Sequence, residues 1–284
     1  MNGKKIIVRA DDIGFCHAAN MAVKQVLEQG LVTATSVIVN TPWLTEAAAI
    51  LEDHPEVSVG VHLVLNSEWR EYRWGPIMSR DKVHSLVDRF GRFFPSRKLL
   101  MQRRPVLDEV EAELRAQVQR ALDMGLRLSY MDYHMGTAAS TLEFQEILER
   151  LADFFQLAPC RYFGEQEIPT VYGLSPEEKK AGALRELKVP RQDGLYLWIF
   201  HPGLDFHEMA AMTDLNAFGL KNMSKHRQAE AGLLCDPDLR SAIAEAGFTL
   251  IGYDALKNDP AAVRKRPGDA PRYEDVIWEA IREK

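Results

Sequence analysis

Four short stretches of the chain carry residue types that hold metal ions and move protons. They are the acidic pair Asp11-Asp12, His62, the segment Asp132-Tyr133-His134 and the triplet His201-Pro202-Gly203. One Asp and two His brought to one point suit a divalent cation, because two imidazoles and a carboxylate leave positions open for water and substrate. A second Asp beside such a centre can serve as general base on a bound water. A further His across it, such as His201, can protonate a leaving group. Each piece also has a plainer reading. Asp11-Asp12 could cap a helix, His62 could be a hydrogen-bonded core histidine, and His201-Pro202-Gly203 could be only a turn.

The elements that would position these residues favour the chemical reading. Lys5–Ala10 reads as a buried strand through Ile6, Ile7 and Val8, and it runs into the acidic pair. Val57–Leu65 is a strand whose odd positions are all large and apolar, while Ser58, Gly60, His62, Val64 and Asn66 share the other face. Side chains alternate across a strand, so His62 points away from the helix-covered face and into a crowded interior. Asp132 and His134 share one face of a strand at Leu126–Tyr133 by the same count. Leu195–Phe200 delivers His201. The other five histidines, at 17, 54, 84, 207 and 226, end no expected strand.

Further strands are expected at Val32–Val39, Cys160–Phe163 and Phe248–Tyr253. Helices are expected near Cys16–Gln29, Thr45–Leu51, Leu107–Met124, Thr141–Phe154, after Ser175, around Lys225–Ala246 and at Tyr273–Arg282. Repeated strand-then-helix units imply a parallel sheet with helices outside it, and about seven of them in this length favour a distorted (β/α) barrel of the TIM-barrel type. Polar residues at the C-terminal ends of its strands are then the catalytic candidates. One single domain over residues 1–284 is expected, with an irregular insertion at Asn66–Pro105 that has no clean period.

Composition narrows the partners. The 35 basic and 41 acidic residues leave a net charge of −6, which argues against a nucleic-acid surface. No apolar run approaches the roughly 18 residues of a membrane span. The apolar stretch after Lys4-Lys5 is too short for a signal peptide, and Cys16, Cys160 and Cys235 share no short spacing. A cytoplasmic protein is the expectation.

These motifs together resemble the YdjC-like carbohydrate deacetylases. Ile7-Val8-Arg9-Ala10-Asp11-Asp12-Ile13-Gly14 is similar to their N-A-D-D-F-G opening, and Gly60-Val61-His62-Leu63-Val64-Leu65 to their G-x-H-L-x-L strand. Asp132-Tyr133-His134 resembles their D-x-H, and His201-Pro202-Gly203 their late H-P-G. Arg227-Gln228-Ala229-Glu230 and Phe248-Thr249-Leu250-Ile251-Gly252-Tyr253 also fit. The resemblance implies a homodimeric, metal-dependent hydrolase that removes N-acetyl groups from amino sugars or acetylated oligosaccharides. It maps the metal ligands onto Asp12, His62 and His134, with one divalent ion (Mg or Zn), and the catalytic base onto Asp11. Two departures stand out: Arg9 replaces a common Asn, and Met135-Gly136-Thr137-Ala138 replaces further histidines. Substrate selection is expected in the insertion, with Trp69 or Trp74 stacking on a sugar face and Arg73 and Asp132 contributing contacts. Two other classes compete: a metal-dependent phosphoesterase, which would want an H-x-H pair near the first strand, and a sugar-binding homologue without turnover.

Overall fold

The computed structural model describes residues 3–257, 268 and 270–282. Eight strands form one parallel sheet: β1 (Lys4–Ile13), β2 (Ala34–Val37), β3 (Ser58–Leu63), β4 (Leu128–Tyr133), β5 (Ala158–Pro159), β6 (Gln166–Glu167), β7 (Gly194–Phe200) and β8 (Phe248–Leu250). Their order is β5-β4-β3-β2-β1-β7-β6, with β8 paired to β1 off this path. The sheet curls into a half-barrel, the distorted (β/α) barrel expected from the strand–helix rhythm. The helices are α1 (His17–Glu28), α2 (Leu44–Glu52), α3 (Arg97–Met101), α4 (Leu107–Asp123), α5 (Leu142–Phe155), α6 (Lys179–Leu187), α7 (His207–Ala210), α8 (Met223–Leu234), α9 (Pro237–Glu245), α10 (Tyr253–Lys257) and α11 (Tyr273–Arg282).

Two expected elements differ. The strand at Cys160–Phe163 is instead a turn after the two-residue β5, because Arg161 takes a left-handed φ of 70° that no strand continues through. The helical stretch around Lys225–Ala246 is two helices, since Asp236 caps α9 by accepting from the Asp238 N–H, with Pro237 in its first turn.

The interior is filled in layers. At the N-terminal end, Tyr253 stacks on Tyr130 with ring centroids 3.9 Å apart. Beside it Asp254 accepts from Ser58 Oγ at 2.8 Å and Ser129 Oγ at 2.7 Å. Tyr130 lies in the space that Gly60 leaves: a Cβ there would sit 2.4 Å from the Tyr130 ring. Gly60→Ala is therefore expected to cost about 1–3 kcal/mol of stability by overpacking, read as a lower urea midpoint at unchanged slope. An unchanged midpoint would mean that the ring yields freely.

The insertion is fastened to the barrel by one buried carboxylate. Glu113 on α4 accepts from the backbone N–H groups of Ile77 and Met78, each at 2.9 Å, and from Gln117 at 2.8 Å. Within the insertion lie α3 and a short antiparallel bridge between Val87 and Phe93.

Candidate functional site

The C-terminal ends of β1, β3, β4 and β7 bring the candidate residues together. Strand alternation alone would put Asp11 and Asp12 on opposite faces. Instead β1 shifts register between Asp11 and Ile13, and Asp12 takes a φ of 72°, so both carboxylates reach the mouth. Gly14 follows with a φ of 87°, and a Cβ there would lie 2.3 Å from the Ile38 carbonyl oxygen. Only glycine passes this point without displacing β2.

Asp12 Oδ1, His62 Nε2 and His134 Nδ1 form a tight triangle. The Asp12 oxygen is 3.4 Å from His62 and 3.5 Å from His134, and the two ring nitrogens are 3.3 Å apart. Metal–ligand bonds of about 2.1 Å at tetrahedral angles separate ligands by about 3.4 Å. Asp12 Oδ1 is buried and accepts no hydrogen bond from the described residues. Each ligand candidate is oriented from behind by a buried partner: His62 Nδ1 by Asp132 Oδ2 at 2.8 Å, His134 Nε2 by Glu68 at 3.1 Å, and Asp12 Oδ2 by Arg227 Nη2 at 2.6 Å. Such outer carboxylates fix the ring orientation of metal-ligating histidines.

Electrostatics agree with this geometry. Burial disfavours charge on Asp12, but Arg227 and His134 outweigh it and hold the carboxyl well below its usual range. Burial would also lower His134, yet Glu68 and Asp12 lift its pKa to about 10. The surroundings favour one positive charge at this point, as a cation site requires. The residues present therefore fit a divalent ion.

Asp11 stands beside the triangle. Arg9 grips it through two N–H groups at 2.7 and 2.9 Å and also contacts Asp132 Oδ2 at 2.9 Å. Burial raises the Asp11 pKa, and Arg9 only partly offsets this, so Asp11 is a stronger base than a free carboxylate. Asp11, His62 and His201 line one cleft of about 610 Å³, together with Arg97, Arg161, Tyr133 and Met135. His201 Nδ1 is buried without a hydrogen-bond partner among the described residues. Burial holds the His201 pKa down, to about 4.

The residues expected to contact a sugar are mostly buried. Trp69 and Trp74 are 3% and 5% exposed and pack with Phe15, their centroids 5.8 and 5.7 Å from its ring. Both indoles are buried in this packing, and Trp74 also lies edge-on to His134 with centroids 6.1 Å apart. Arg73 donates to the Phe93 carbonyl inside the insertion and does not line the cleft. Asp132 is fully buried between His62, Arg9 and the Cys160 thiol.

Glu68, Arg227 and Glu230 were not singled out as site residues, although the latter two stand in the Arg227–Glu230 pattern. Glu68 sits in the aperiodic insertion, where no local signal separates it from a solvated acid. Three of the five remaining histidines pair with other carboxylates, His17 with Glu46, His54 with Glu56 and His84 with Glu109, and His226 meets the Leu174 carbonyl.

Comparison with known proteins places this geometry among relatives. A family model described as YdjC-like protein matches residues 5–245. A carbohydrate deacetylase of Thermus thermophilus is 30% identical over 270 residues, covering 86% of this chain and 92% of that protein. A carbohydrate deacetylase of Brevibacillus brevis is 35% identical over 166 residues, 57% of this chain and 62% of the relative. Among solved structures, an Enterococcus faecalis protein assigned to cellobiose-phosphate cleavage superposes with a TM-score of 0.75 at 22% identity, covering 90% of this chain and 99% of that one, and shares its fold.

Proposed function

The chain belongs to the YdjC-like family, and from that premise we propose that it is a metal-dependent carbohydrate N-deacetylase, hydrolysing the acetamide of an amino sugar. The observation that carries the reading is the triangle of Asp12, His62 and His134, its three ligand atoms 3.3–3.5 Å apart, at the edge of a cleft shared with Asp11 and His201. Those three residues hold the ion. When bound, it supplies a Lewis acid for the acetyl carbonyl and lowers the pKa of water.

The chain's own groups do the rest. Asp11, oriented by the Arg9 fork, accepts the proton that the attacking water gives up. His201 starts neutral at pH 7, with one N–H and one lone pair; it gives its N–H proton to the departing amine nitrogen and takes up in return the proton that Asp11 received, which restores both groups. Water is consumed, the C–N bond breaks, and acetate and a free amine leave. The three cysteines form no disulfide, which suits the cytoplasm. Among the described residues no helix is long and apolar enough to cross a membrane. A homodimer remains the assembly that the family resemblance implies.

The deciding experiment is acetate release from a panel of N-acetylated amino sugars and their oligomers, after chelation and with single divalent metals restored. Activity is expected to vanish on chelation and return with metal. Turnover of an aryl phosphate without acetate release would favour a phosphoesterase. Tight sugar binding with neither metal nor turnover would make the chain a binding homologue. Arg227→Gln is a second test: removing the guanidinium behind Asp12 is expected to weaken metal affinity by about 10- to 100-fold, measured by competition with a chromophoric chelator. Unchanged affinity would release Arg227 from that role.

A further inference from the structure

The proposed mechanism leaves one buried ion pair without a task. Lys179 of α6 and Glu230 of α8 are each 1% exposed and meet at 2.9 Å. Taking two charges out of water is expensive, and such a pair rarely adds net stability over an apolar replacement. Its contacts lead to the cleft. Glu230 Oε2 accepts from the backbone N–H of His201 at 2.6 Å, while Oε1 takes the lysine. The Lys179 ammonium also donates to the carbonyls of Val171 and Tyr172, both at 2.8 Å. The Tyr172 ring then lies edge-on to the His201 ring, centroids 5.2 Å apart.

Pro202 has no N–H, so His201 and Gly203 supply the two donors of this turn, and both end on α8. Gly203 donates to the Arg227 carbonyl at 3.2 Å. Arg227 and Glu230 are three residues apart and share one helix face. From that face Arg227 holds Asp12 and Glu230 holds His201.

We propose that Glu230, neutralised by Lys179, is a positioning residue that fixes His201 at a set distance from the Asp12–His62–His134 triangle, with α8 as the common frame. The inference rests on the deacetylase reading for its kinetic consequence, but not for its geometry. Displacing a proton-relaying group by an ångström costs up to about 10²-fold in rate, so a stiff mount matters more here than net stability.

Two double variants isolate the contact. Lys179→Met/Glu230→Gln and Lys179→Met/Glu230→Leu both remove the charge pair, and only the first keeps an acceptor for the His201 N–H. In protein labelled with ¹⁵N-histidine, the His201 amide signal is expected to stay downfield in the Gln variant and move upfield in the Leu variant. In acetate release from the β-linked N-acetylglucosamine dimer, the Leu variant is expected to have kcat about tenfold or more below the Gln variant. KM and metal content should be equal in the two, and the gap should close when His201→Ala is added to both. Identical His201 signals would overturn the proposal, as would a kcat gap that survives His201→Ala. A His201→Ala enzyme as fast as wild type would instead overturn the relay role of His201, with the amide signal still reporting on the mount. If the double variants fail to fold, Glu230→Asp, which keeps a charge for Lys179 but shortens the reach to His201, is judged by the same signals.

Discussion

Asp11→Asn is expected to reduce acetate release by about 10²- to 10⁴-fold while the protein keeps near wild-type metal content. The asparagine has the same shape and still accepts from Arg9, and Arg9 remains anchored on Asp132 at 2.9 Å. The local scaffold should therefore survive. What disappears is the proton acceptor, since an amide oxygen cannot take a proton from water at useful cost. Asp11 also lies outside the Asp12–His62–His134 triangle, so its loss removes no ligand from that set. A second grouping of Asp11, His62 and Asp132 exists on geometry alone, but the Arg9 guanidinium already bridges both of its carboxylates and offsets one of their two charges. Metal loss in Asp11→Asn would reverse this ranking and make Asp11 a ligand. Full activity would remove it from the chemistry altogether.

Much of this site was legible because strands advertise themselves by alternation. The apolar odd positions of Val57–Leu65 gave the direction of His62, and the two-residue spacing of Asp132 and His134 put both on one face. What alternation cannot show is an interruption of itself. It places Asp11 and Asp12 on opposite sides, and the bulge that unites them depends on β2 and on Gly14 fitting under the Ile38 carbonyl. Arg227 and Glu230 were hidden for a related reason, because polar residues on a helix normally mean its wet face. Here they turn inward because Asp12 accepts from Arg227, while Lys179 and the His201 N–H donate to Glu230. The packing of the aromatic run at Trp69–Trp74 was hidden as well. Composition reveals rings, but not that Phe15 and Tyr72 cover them. The plug formed by Tyr253 and Asp254 was likewise invisible, since its partners Ser58, Ser129 and Tyr130 are distant in sequence.

His62→Ala and His134→Ala are each expected to lose metal and activity together. The decrease in affinity should exceed the about 10- to 100-fold typical of an outer partner, because a ligand atom itself is removed. Each deletion leaves its buried carboxylate, Asp132 or Glu68, without the imidazole it orients. Some loss of stability is therefore expected in the metal-free protein as well, and activity alone would not separate folding from binding. Thermal unfolding does. A ligand that binds only the folded state stabilises it by about 2.7 kcal/mol at a hundredfold excess over Kd. Adding metal to the chelated wild type should raise Tm, and adding it to either variant should not, whatever the starting Tm. His134→Ala is the sharper case, since Glu68 and Asp12 hold a positive charge on that imidazole in the absence of metal. Metal binding must displace its proton, so wild-type affinity should rise with pH while the residual affinity of His134→Ala loses that component of the dependence. A variant that still binds metal stoichiometrically with wild-type turnover would dismantle the triangle as the metal site, and with it the assignment of Asp11 as the base beside it.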